Sequence, residues 1–158
     1  MHRITNDKAF REAIDALDPR QARLLAGRLA ETVLPLSSDR RLNSIARVAS
    51  DPDATAEDLR NAWKAGKAIS IELSARCGAE GEWSDQADYF VARAATAAVT
   101  PAEASKPGGP AWQAAMNARM AQTCEQLDAS DTQIGEVRER QYRILAEFLN
   151  QEGTSHHE

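Results

Sequence analysis

Histidine is missing from the whole interior of this chain: its three copies are His2, His156 and His157. The side chain that most often moves protons near neutral pH is therefore absent as a general base or metal ligand anywhere between the two ends. Cysteine is scarce as well. Cys77 and Cys124 fall on different expected helices, without metal-ligand spacing and with no interior histidine to activate either thiol. That pattern argues against a disulfide framework, a zinc site and nucleophilic cysteine chemistry, and the expectation is two reduced thiols in a cytoplasmic protein. Aromatic residues make up only 5% of the chain, too few for a β-rich fold. Excess basic charge is also lacking: the net charge is −5 and the pI about 5.3, which argues against a nucleic-acid binder. No run approaches the roughly 20 apolar residues that span a bilayer, and Met1–Asp7 holds no apolar signal core, so no membrane association is expected. Gly108-Gly109 is not followed by Lys and Ser or Thr, which excludes a phosphate-binding P-loop. No Glu-x-x-His pair offers the inward carboxylate–imidazole set of a bundle metal site. No catalytic residue, metal or cofactor is expected.

What is present is alanine, at helical spacing. Thr5 or Asn6 can cap a first helix with Phe10, Ala13, Ile14 and Leu17 on one face. Asp18, Pro19 and Gln21 form a capping box for a second helix through Leu25, Leu29 and Val33, ended by Pro35. Ser37 and Ser38 offer caps for a third, through Leu42, Ile45 and Ala49. Thr55 with Asp58 opens a long fourth helix through Leu59, Ala62, Trp63, Gly66, Ile69 and Leu73, ending near Cys77-Gly78. Gly66 costs such a helix about 1 kcal/mol relative to alanine, a cost usually met where another helix comes close. After an acidic loop, Gly78–Glu82, the fifth helix is apolar nearly all round apart from Arg93, the mark of a buried central element. Thr100 and Glu103 suggest a cap and a short extra turn. Lys106–Pro110 is the clearest break in the chain, Pro110 starts a sixth helix, and Ser130 caps a seventh with Ile134, Val137, Gln141, Leu145 and Phe148 on one face. The expected fold is all-α: a single-domain bundle of about seven helices over 1–150, mostly antiparallel with short connections, and a polar, disordered tail over 151–158. A short curved helical array is the alternative.

Charge is unevenly spread. Residues 1–50 carry nine basic and six acidic side chains, whereas 51–158 carry ten and eighteen. Glu72, Glu80, Glu82, Asp85 and Asp88 cluster around Trp83, opposed only by Arg76. An exposed tryptophan ringed by acids suits a partner-binding hot spot, because aromatics anchor interfaces and charge steers encounter. The competing reading has Asp85 and Asp88 favouring the positive end of their helix while Trp83 packs inward.

Three segments, Leu29–Pro35, Asp58–Trp63 and Tyr89–Ala95, resemble the small alanine-rich helical immunity proteins that neutralise bacterial polymorphic or contact-delivered toxins. The resemblance implies an all-α fold and a toxin-binding inhibitor that acts by steric and electrostatic occlusion, its protein partner being a basic toxin domain. It assigns no functional residue. The alternative is a non-catalytic structural or adaptor protein, either a monomer or a homodimer through Trp112, Met116 and Met120.

Overall fold

Three of the helix starts follow from side chains that cap free N–H groups. The computed structural model describes residues 3–80, 83–125 and 131–155, and the side chains of 3–76, 86–124 and 135–151. Asn6 accepts a hydrogen bond from the Ala9 N–H at 2.8 Å and starts α1 (Asp7–Asp15). Asp18 accepts from the Gln21 N–H at 2.8 Å while the Gln21 side chain accepts from the Asp18 N–H at 3.2 Å, so α2 (Pro19–Glu31) opens on a complete capping box. A 3-10 turn over Leu34–Leu36 leads to α3 (Arg41–Ser50). Thr55 and Asp58 exchange reciprocal bonds of 3.0 and 3.1 Å at the head of α4 (Ala56–Glu80). The last three helices are α5 (Trp83–Val99), α6 (Gly109–Glu125) and α7 (Asp131–Ser155). Gly108 and Gly109, at φ +90° and +78°, take the left-handed backbone that this break requires.

Four local expectations are corrected. Ser37 and Ser38 do not cap α3; Asp39 accepts from the Arg41 N–H at 3.1 Å, nearer the helix start. Thr100 forms no cap for the 3-10 turn at Ala102–Ala104, because its hydroxyl donates back to the Thr96 carbonyl at 2.7 Å. α4, expected to end near Cys77-Gly78, continues to Glu80. α7 likewise runs on to Ser155, past the expected fraying point at Asn150. The Ser130 cap lies outside the described residues.

The seven helices share one core, and among the described residues there is no strand. α5 is its centre, packing on α2, α3, α4 and α6, with Ala87, Val91, Ala92, Ala94, Ala95, Ala98 and Val99 all buried. Alanine on this helix lets neighbouring backbones approach, and Gly66 marks a close approach of α4. A Cβ there would run into the Thr96 side chain of α5. Among the described residues no helix is long and apolar enough to cross a membrane.

A polar clamp ties both ends of the chain to α6. Arg119 reaches the Asp7 carboxylate through two hydrogen bonds of 2.8 and 3.0 Å, and its Nε donates to Gln141 Oε1 at 2.7 Å. Gln141 passes the chain on to the Ala115 carbonyl at 3.0 Å, and the Tyr142 hydroxyl donates to Asp7 at 2.8 Å. The Arg119 guanidinium, followed by the Tyr142 hydroxyl, holds the Asp7 carboxyl down at about 2, against the cost of its partial burial. A carboxyl depressed in the folded state stabilises above its unfolded value of 3.8 and loses that contribution as pH falls towards 2. Asp39 and Glu72, both also lowered by Arg41, add to the same acid limb. Asp7→Asn is therefore expected to be less stable at pH 7 and to lose less on acidification from about pH 4 to pH 2. Urea titrations across that range measure it, and identical pH slopes for the two proteins would overturn the assignment.

Candidate functional site

Two helical stripes of matching period face one another across the α4–α5 pair. On α4 they are Trp63, Lys67, Ser70, Ile71 and Ser74; on α5 and the residue that follows it, Tyr89, Arg93, Thr96, Ala97 and Thr100. Each set steps by i, i+4, i+7, i+8 and i+11, one face of an α-helix. The 3-10 turn and the head of α6 close a third wall with Lys106, Gln113 and Asn117. Together they enclose an open groove of about 510 Å³. The eleven helical steps from Trp63 to Ser74 give it a length of about 16 Å.

The groove lining combines hydroxyl and amide side chains with cations and aromatic rings. Several of the hydroxyl and amide donors in its lining are satisfied locally. Ser70 donates to the Gly66 carbonyl at 2.8 Å, Thr96 to Ala92 at 2.7 Å, and Asn117 to Gln113 at 2.8 Å. The charged heads lie over aromatic rings instead: Lys67 Nζ is 3.6 Å from the centre of Trp63, and the Arg93 guanidinium 5.6 Å from that of Tyr89. Ile71 is 72% exposed, the largest exposure of any big apolar side chain described. Lys67, Arg93 and Lys106 bring three positive charges to the groove lining, and among the described residues no Asp or Glu contributes to it. In a chain of net charge −5 this is a local inversion of sign.

The expected acidic patch is distributed differently. Glu72 is exposed on α4, but Arg41 holds it at 2.7 Å and at the same time grips Asp39 at 2.7 Å. Asp88 is buried at 7% exposure and accepts the Ser38 N–H at 3.1 Å, so it pins the loop before α3 rather than facing a partner. The side chains of Glu80, Glu82, Trp83 and Asp85 lie outside the described residues, as does that of Cys77. Trp112 stacks against Phe10 of α1, with ring centres 6.2 Å apart, and Met116 packs on the core, leaving only Met120 of that stripe exposed. Cys124 is buried in α6. Among the described residues no three His, Cys, Asp or Glu side chains converge as metal ligands.

The apolar period of α4 places Trp63 on its buried face and gives no sign of the groove. The legible signal is Ile71, an aliphatic residue out of step with the Leu59–Ala62–Ile69–Leu73 face yet in step with Trp63 and Lys67. No family profile, curated protein or solved structure matches the chain.

Proposed function

We propose that the protein is a non-catalytic binding protein that grips a partner protein in the groove between α4, α5 and the head of α6. Ile71 carries this reading, standing 72% exposed on the same wall as half-buried Trp63. Aliphatic and aromatic side chains beside Arg and Lys match the make-up of interface cores, where a few anchors supply most of the affinity. Covering a partner's surface requires shape and contact but no reacting group. The specific form of an immunity protein occluding a bacterial toxin is supported by the resemblance of Leu29–Pro35, Asp58–Trp63 and Tyr89–Ala95.

A photo-crosslinking residue at position 71 is expected to trap one discrete partner, while the same residue at exposed position 147 on α7 does not. With that partner purified, Trp63→Ala and Ile71→Asp should each weaken binding by at least about tenfold, the range of interface anchors. Unchanged helical circular dichroism would show that the fold survives. Equal trapping at both positions, or full affinity in both variants, would end this reading.

A further inference from the structure

We propose that the groove receives an acidic amphipathic helix of the partner, apolar residues inward and carboxylates towards Lys67, Arg93 and Lys106. This rests on the binding-protein reading above and adds the chemistry of the occupant. The first argument is charge. Among the described residues, three cations and no carboxylate line the groove of a chain whose net charge is −5. Two other cavities mix signs: Glu136 with Arg140 between α2, α6 and α7, and Glu31 and Asp51 with Arg47 between α2 and α3. A groove of one sign in an oppositely charged molecule selects an anionic occupant and speeds its approach.

Donor count is the second argument. Ser70, Thr96 and Thr100 each donate to a carbonyl of their own helix, so those hydroxyl hydrogens are already committed. The charged donors facing an occupant are the ammonium groups of Lys67 and Lys106 and the guanidinium of Arg93. These pair with acceptors that carry charge, and carboxylates on a helix flank are such acceptors.

Shape supplies the third. The groove is open along its length, runs about 16 Å beside α4, and presents side chains at one-turn intervals on both walls. A partner helix laid along it would place its i, i+4, i+7 and i+11 side chains into those intervals, the ridge-and-groove match of packed helices. A volume of about 510 Å³ accommodates the side chains of one helix face, with the backbone of the occupant outside. Ile71 and Trp63 would then be covered by apolar residues.

The probes are two synthetic helices of about 18 residues, long enough to hold helical structure. Both carry Leu at i, i+4, i+7 and i+11; one carries Glu on its flanks and its twin carries Lys. Calorimetry with the full chain is expected to give binding of the Glu helix at least tenfold tighter than the Lys helix, weakening as salt rises. Lys67→Glu/Arg93→Glu/Lys106→Glu should reverse that preference, and the reversal is a readout that mere unfolding cannot produce. Equal affinity for both helices, or no binding of the Glu helix, would overturn the acidic-helix inference. If position 71 still trapped a discrete partner in that case, the binding-protein reading would stand while this occupant fell. Loss of both results would remove both.

Discussion

Arg119→Met is expected to lower the unfolding free energy by about 3 kcal/mol, the lower end of the range for breaking a largely buried ion pair. Methionine keeps much of the volume of the arginine stem, so the loss reports the polar clamp more than a cavity. The Arg119 side chain is only 14% exposed and serves two partners at once, Asp7 on α1 and Gln141 on α7. Removing it leaves the Gln141 Oε1 without its 2.7 Å donor and Asp7 without its counter-charge. The loss sits at the lower end because Asp7, at 40% exposed, keeps part of its hydration. Guanidinium titration of the two proteins measures the effect. Adding Asp7→Asn should cost less on top of Arg119→Met than in the parent, because the uncompensated charge is then gone. A loss under about 1 kcal/mol would mean that apolar packing alone holds α1 and α7 on α6.

Gly66→Val has the second large effect, about 3 kcal/mol, from overpacking a close helix crossing. Three atoms of Thr96 stand in the way of a side chain at position 66, including Cγ2 at 3.2 Å and Cβ at 3.1 Å from an added Cβ. Thr96 is β-branched and its hydroxyl is bonded to the Ala92 carbonyl at 2.7 Å, so it has little freedom to turn aside. The gain in helix propensity on losing glycine, at most about 1 kcal/mol, does not offset such a clash. Thr96→Ala in the same chain should recover a large part of the lost stability, since it removes both the hydroxyl and the methyl group. Thermal and urea unfolding of the four proteins of this cycle give the coupling directly. No recovery would place the strain elsewhere than between α4 and α5. Ser70 and Thr96 line the groove beside this crossing, with their hydroxyl oxygens 3.5 Å apart. Wedging the two helices apart should therefore also blunt the preference for the acidic helix.

Much of the helical frame is legible from local chemistry. Asn6, the Asp18–Gln21 box and the Thr55–Asp58 pair each act between residues three apart, so spacing alone reveals them. The central place of α5 is legible too, because a helix rich in alanine with a single cation has nowhere else to go. The failures share one cause. Ser37 and Ser38 look like caps, yet the N-cap position of α3 is Arg40, which makes no side-chain cap bond, and Asp88, fifty residues away, claims the Ser38 N–H. Gln141 reads as one more member of an apolar face, yet it is the buried relay between Arg119 and the Ala115 carbonyl.

The proposed groove shows the same division. Period and composition place Lys67, Ile71 and Arg93 on helices but are silent about which stripe a neighbour covers. The acidic cluster, contiguous along the chain, is the natural candidate from sequence. In space Glu72 turns to Arg41 and Asp88 turns inward, while cations from positions 67, 93 and 106 meet across three elements.

By itself the sequence determined an all-helical chain, the caps that start its helices, the alanine-lined element at its centre and an interior without histidine. These are consequences of backbone hydrogen bonding and of side-chain volume within a turn or two. Which faces remain uncovered, and which charges share them, is set by long-range packing. That choice depends on how tightly α4 and α5 approach at Gly66 and Thr96, and a contact between residues thirty positions apart leaves no periodic trace in the chain.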